Sequence, residues 1–190
     1  MTSMLFQRSQ LSGLAGMSYE GERDLYTTLG YSKTLTFEQF YAKWERQDIA
    51  GRVVDLPAID TWRKPPKFTD GDSEETAFMR DWKTLATRLP VWRRMMQVDQ
   101  LAGIGRYGVL LIGLRGTAGL ADPPENVAGP EGVLYLRALT EGSAAIGELV
   151  SDEQDERFGL PAYYLCDLGE GKTSERVHWQ RVIHVAENTT

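Results

Sequence analysis

The sequence predicts an α+β fold in which N-terminal helices are followed by a mostly antiparallel sheet. Three observations carry that expectation. Apolar residues recur at helical spacing between residues 37 and 102. The texture changes at Gly103. After it come short apolar runs of strand length, separated by Gly- and Pro-rich turns.

Residues 1–18 read as an N-terminal arm, and residues 19–190 as one α+β domain. A short helix is expected over Glu20 to Leu29, with Gly30 as its C-terminal cap. Thr36 followed by Gln39 is a capping box, in which each side chain satisfies a backbone N–H of the first turn. Phe37, Phe40, Tyr41 and Trp44 then fall at i, i+3, i+4 and i+7, one aromatic face suited to a core or to a neighbouring subunit. Asp48 is expected to cap a second helix carrying Ile49, Val53 and Leu56, which Pro57 should interrupt. Trp62 to Pro66 should be extended, since each proline pushes its predecessor out of the α region. A turn at Asp70 to Ser73 leads to a helix with Phe78, Trp82, Leu85 and Leu89 on one side. Pro90 fits the first position of a further helix whose stripe is Val91, Met95, Val98 and Ala102, with Trp92, Arg93 and Arg94 beside it.

Tyr107 to Leu114 is a buried-strand candidate, with Val109, Leu110, Leu111 and Ile112 at its heart. Residues 115–132 lack a period and form a long surface loop. Val133 to Leu139, Ala145 to Val150, Ala162 to Asp167 and Val182 to Val185 are the remaining strand candidates, with a hairpin turn at Gly169 to Lys172.

Composition narrows the function classes. The 190 residues are 42% hydrophobic and 25% charged, so a core should form, and the formal net charge of −6 argues against sequence-independent phosphate binding by overall attraction. One cysteine, Cys166, provides no intrachain disulfide and fits a reducing compartment. No apolar run approaches the roughly 20 residues of a membrane span, and the N-terminus lacks the charged and apolar regions of a signal peptide.

The candidate chemical motifs are weak. Gly103 to Gly108 matches G-x-G-x-x-G, but a dinucleotide site needs a strand before the glycines and a helix after, whereas here the order is reversed. A helix C-terminus would face the phosphate, so a helix cap and tight turn are the better reading. His178 and His184 each lack the following x-[ST] of a two-histidine phosphoesterase, and with Cys166 they make no recognised zinc spacing, so they are read as structural. Ser143 has no nucleophile elbow. Asp152, Glu153, Asp155 and Glu156 read as a solvated loop, with weak cation binding as the alternative, and Arg93, Arg94 and Arg106 as a local basic spot suited to intersubunit salt bridges or to contacts with nucleic acid. No catalytic residue, cofactor or metal ligand is expected. Trp44, Trp62, Trp82 and Trp179, with Phe37, Tyr41 and the Val109–Ile112 strand, are assigned to packing or to a subunit interface.

Several segments, in order, resemble the portal proteins of tailed phages. They are Leu35 to Phe37 leading to Tyr41 and Trp44, Arg46 to Asp55 with Pro57, Asp60 to Pro66, Gly103 to Gly108 with its apolar strand, Phe158 to Pro161, and Val177 to His184. The closest group is the family once labelled only as a domain of unknown function, some members of which are described as related to an anti-CBASS protein. The resemblance implies a wing-type α+β domain of a ring, commonly dodecameric, at one vertex of the virion capsid, assembled in the host cytoplasm. Such a ring passes DNA without sequence-specific binding and docks terminase, capsid and head-completion or adaptor proteins. It implies no enzyme activity and no membrane. A repulsive acidic wall also lets DNA slide where a basic wall would hold it. Family members are much longer, so stem, clip and most of the crown are expected downstream. The alternative implied by the same resemblance is an N-terminal accessory domain of an anti-CBASS-type cyclic-oligonucleotide phosphodiesterase.

Overall fold

The computed structural model describes residues 29–30, 34–70, 76–116, 119–125, 127, 129–169 and 173–186. The chain divides into two units, Met1–Thr36 and Phe37–Thr190. In the first, the arm over 1–18 and residues 20–28 of the expected helix lie outside the described residues. Leu29 and Gly30 form a turn, in which Gly30 takes the positive φ of 74° that the cap reading requires.

The second unit opens with four helices: α1 (Phe37–Arg46), α2 (Asp48–Thr61), α3 (Ala77–Arg88) and α4 (Val91–Ile104). The start of α1 falls directly after Thr36, where the capping pattern places it. Four local expectations need correction. Gln47, not Asp48, is the N-cap of α2, with no side-chain cap bond, and Asp48 is the first helical residue, where its carboxylate still favours the positive end of the helix. Pro57 lies inside α2, which continues to Thr61. A proline there removes one N–H but leaves the remaining hydrogen bonds, and the packing of α2 on α4 supplies the offsetting stability. Trp62, Arg63 and Lys64 form a turn at the end of α2 instead of an extended run, which begins at Pro65. Residues 71–75 of the next expected turn lie outside the described set. The Thr76 hydroxyl caps α3 by accepting from the Met79 N–H. Pro90 is the N-cap of α4, one residue before the expected position.

The strands are β1 (Gly108–Leu114), β2 (Val133–Thr140), β3 (Ala144–Leu149), β4 (Pro161–Cys166), β5 (Glu175–His178) and β6 (Val182–Val185), all paired antiparallel. They form two three-stranded sheets, in the orders β2-β1-β6 and β3-β4-β5. The sequence reading missed β5, whose Glu-Arg-Val-His run has a single apolar residue. Short 3₁₀ turns at Pro130–Gly132 and Trp179–Arg181 precede β2 and β6. The tip of the β4–β5 connection, residues 170–172, lies outside the described residues.

Side chains alternate across β1. Val109 and Leu111 join Tyr107, Leu139, Ala144, Tyr164, Cys166 and Val177 in the main core. The opposite face of β1 meets α4: a Cβ placed on Gly108 would lie 2.7 Å from the Val98 carbonyl oxygen. Leu110 shares that face by alternation and is fully buried. The first sheet therefore lies between helix α4 and the core it shares with residues of the second sheet.

Candidate interface

In the helical layer the aromatic side chains are anchored by their polar edges. Trp44 Nε1 donates to Asp55 Oδ1 at 3.0 Å, and Gln100 Nε2 donates to the same oxygen at 3.2 Å, tying α1, α2 and α4 together. Trp62 Nε1 donates to Asp99 Oδ2 at 2.9 Å, holding the end of α2 on α4. Phe37, Tyr41 and Trp44 pack in sequence as tilted ring pairs with centroids 5.8 and 5.4 Å apart. None of the residues of α1 is fully buried. A second aromatic chain runs Trp62–Trp92–Phe68–Trp82, with Phe68 and Trp92 stacked at 5.6 Å and 11°. Beside it opens a groove of about 560 Å³. On α2, Ile49 is 81% and Val53 69% exposed, so the apolar stripe of that helix faces away from the core.

The strand residues have a different place. Val109, Leu110 and Leu111 are fully buried and Ile112 is half-buried, so that this segment packs inside the subunit. Next to it, the Tyr107 ring stacks on His184 at 4.7 Å while its hydroxyl donates to the Ala144 carbonyl at 3.0 Å. His184 Nδ1 is 2.9 Å from the Tyr164 hydroxyl. Burial pushes the Tyr164 phenol up to about 12 and holds His184 below the usual imidazole range. A neutral ring that accepts from a neutral phenol is the state this geometry favours. The cluster joins β4 of one sheet to β6 of the other. Cys166 is wholly buried, and burial raises its thiol to about 11, which leaves it a poor nucleophile.

Trp179, half-buried, carries the Arg157 guanidinium 3.4 Å above its ring. Its neighbour His178 accepts from the Gln180 N–H through Nδ1 at 3.3 Å. Burial, then the charges of Arg157, Arg181 and Arg176, lower the pKa of His178. Arg181 is fully buried: its Nε donates to the Asp122 carbonyl at 2.8 Å, and its Nη2 has no partner among the described residues. Sequence reasoning gave no warning of this buried cation.

The glycine motif resolves as a structural joint. It links the end of α4 to β1, and Gly105 leaves room for Glu141, whose Oε2 accepts from the Arg106 N–H at 2.6 Å. Arg106 Nε is 3.5 Å from the same carboxylate, while Arg94 donates to Gln97, so the expected basic spot is engaged within the chain at both positions. Asp152 and Asp155 accept from backbone N–H groups of their own loop. Among the described residues no three His, Cys, Asp or Glu side chains gather into a metal-binding group, and no helix is long and apolar enough to cross a membrane. What the arrangement offers chemically is surfaces for association: aromatic grooves and charged loops on a bonded frame.

A family model described as phage portal protein matches residues 38–190. The chain belongs to the phage portal protein family. Among the described residues of this portal-family chain, the match takes in the four helices and both sheets, apart from the first residue of α1. It is also similar to two proteins named anti-CBASS protein Acb1. One, from Sphingomonas paeninsulae, is 26% identical over 158 residues, covering 76% of this chain and 22% of that protein. The other, from Caulobacter sp. (strain RHG1), is 25% identical over 195 residues, covering 96% of this chain and 28% of that protein. The portal-family chain thus spans 22% and 28% of the length of these two relatives. Membership of the family supports a portal-like structural role for it.

Proposed function

We propose that this chain is the wing-type part of a structural subunit in a phage portal ring, the head-to-tail connector through which the genome is packaged and ejected. The observation that carries this reading is the portal-family match over residues 38–190. The subunit acts by shape and association, and needs no catalytic residue or cofactor. Copies close into a ring of about a dozen at a capsid vertex, a cyclic assembly built on a head-to-tail interface. Terminase docks there during packaging, head-completion and adaptor proteins later. DNA slides past without sequence-specific contact, in keeping with the net charge of −6. Native mass spectrometry of the product of the intact reading frame tests the proposal. A closed ring of about a dozen subunits supports it, and a monomer that does not associate with capsid or terminase refutes it.

The names of the two relatives leave open a second reading, in which this chain is an accessory domain ahead of a cyclic-oligonucleotide phosphodiesterase. The histidines speak against catalysis by the chain itself: His178 and His184 are followed by Trp-Gln and Val-Ala, and each Nδ1 has a hydrogen-bond partner. Turnover of cyclic oligonucleotides by this chain, lost in the His178→Ala/His184→Ala double variant, would establish the enzyme reading instead.

A further inference from the structure

We propose that the aromatic groove beside α3 receives the β3–β4 loop of a neighbouring copy of this chain, forming one interface of the ring; the inference rests on the assembly reading above. The groove is floored by Phe68, Met79, Trp82 and Trp92, and the charged side chains on its lining are Lys67 and Lys83. An occupant must therefore bring large apolar side chains for the floor and carboxylates for the two ammonium groups.

The loop between β3 and β4 has that chemistry. Asp152, Glu153, Asp155 and Glu156 are all exposed, and Phe158 and Leu160 follow with 55% and 51% of their surface open. Phe68 is 42% exposed on the groove side, so neither patch is filled within its own subunit. The rest of the chain is acidic, and a groove lined, among the described residues, by two lysines and no carboxylate is a selective place for an acidic loop to land.

Both surfaces are set before they meet. The loop is closed at its base by Val150 N–H to Leu160 O and Gly159 N–H to Val150 O, both 2.9 Å, with Gly159 in a left-handed turn at φ 77°. Further bonds from Asp155 N–H to Asp152 O and Phe158 N–H to Asp155 O hold the acidic run. Arg157 is turned away from it, donating to the Pro161 carbonyl at 2.6 Å and stacking on Trp179. The groove is held by its own ring packing. Little conformational freedom is lost on docking, which favours affinity from a modest contact. Because loop and groove are different patches, the contact is head-to-tail, the kind that closes into a ring when its rotation permits.

The test uses two charge-reversed variants of the whole protein, Lys67→Glu/Lys83→Glu and Glu153→Lys/Glu156→Lys, each checked for unchanged thermal melting. Sedimentation and native mass spectrometry then measure assembly. Each variant alone should need at least about tenfold more protein to assemble than wild type, because the first sets carboxylates against the acidic loop and the second cancels the loop's charge and sets lysines against those of the groove. An equimolar mixture should recover assembly, since in an alternating ring the unaltered grooves meet unaltered acidic loops and the reversed grooves meet the lysines introduced into the other loops. Phe158→Ala should weaken assembly without altering any charge. If wild type assembles and both variants assemble equally well, or the mixture fails to recover, the loop–groove contact is wrong while the ring reading stands. If wild type itself remains monomeric, both fall.

Discussion

Gly108→Ala is the sharpest probe of how the helical layer meets the sheet. The added methyl would lie 2.7 Å from the Val98 carbonyl oxygen, 3.1 Å from Ala102 N and 3.2 Å from Val98 Cγ2. Two of these atoms are backbone inside α4, so no side-chain rotation relieves the contact. Reaching 3.4 Å, where ordinary contact begins, requires β1 and α4 to part by about 0.7 Å. A gap of that size forfeits roughly a quarter to a half of each dispersion contact across it. Val98 and Ala102, each 1% exposed, and Leu110, fully buried, would feel that loss. Overpacking of this kind costs about 1–3 kcal/mol, against which the lower entropy of the unfolded alanine chain returns about 0.4–1. We expect a net loss of about 2 kcal/mol, or a Tm lower by about 4–8 °C for a chain of this size. Differential scanning fluorimetry, with urea unfolding to confirm the free energy, measures it. Gly119→Ala, whose added methyl meets, among the described residues, only the Asp122 carboxylate at an ordinary 3.4 Å, serves as the control. If Gly108→Ala melts with the control and wild type, the third glycine of the motif is not there for close helix–strand approach.

Trp62→Phe keeps a ring but removes the indole donor to Asp99; in this half-buried setting it should cost about 1–2 kcal/mol, and Asp99→Ala combined with it should add little in a double-mutant cycle. Trp62→Ala should cost about 3 kcal/mol, the lower end of the range for large-to-small changes, because the ring is only partly buried. His178 and His184 both titrate below the ordinary 6.5 when folded, so the unfolded chain takes up protons first as pH falls. Stability is therefore full above about pH 6.5 and declines below it until the folded pKa values are reached; Tm measured from neutral to mildly acidic buffer should follow, with a shallower decline in His184→Gln. Cys166 should resist thiol reagents in the native protein and label fully in urea, since burial raises its pKa to about 11; rapid native labelling would contradict its place in the core.

The helical half was the more legible because its signals are local. The spacing of Phe37, Tyr41 and Trp44, and the stripe Val91–Val98–Ala102, each lie within one element, and both helices form where that spacing puts them. Pro57 misled because the penalty for a proline inside a helix is finite, and docking of α2 on α4 outweighs it. The division into two sheets was not legible, since which strands pair depends on contacts between residues far apart in sequence. β5 escaped for want of apolar residues, although its Val177 is completely buried. The polar links follow the same rule: nothing local in the sequence pairs Asp55 with Trp44 or Asp99 with Trp62, and only the fold brings them together. Of the interface candidates, the acidic loop was visible as a run of charge, but its rigid base came only with the Val150–Leu160 pairing.

The register of β1 has a consequence for how the protein is made. Gly108 to Leu111 pair on one side with Thr140 to Arg137, and on the other with Val185 to Val182. A growing chain can form the first ladder early, but one edge of its most apolar strand stays open until residues 182–185 have been synthesised. At roughly 5–20 residues per second, the interval between the two ladders lasts several seconds, long compared with hairpin closure. During that time the unpaired edge of β1 can recruit other strands, including those of nascent copies nearby. If the chain assembles as proposed, it has reason to finish folding before it meets its copies. Slowing synthesis between β5 and β6, or removing β6, should shift the product from defined assemblies toward aggregate.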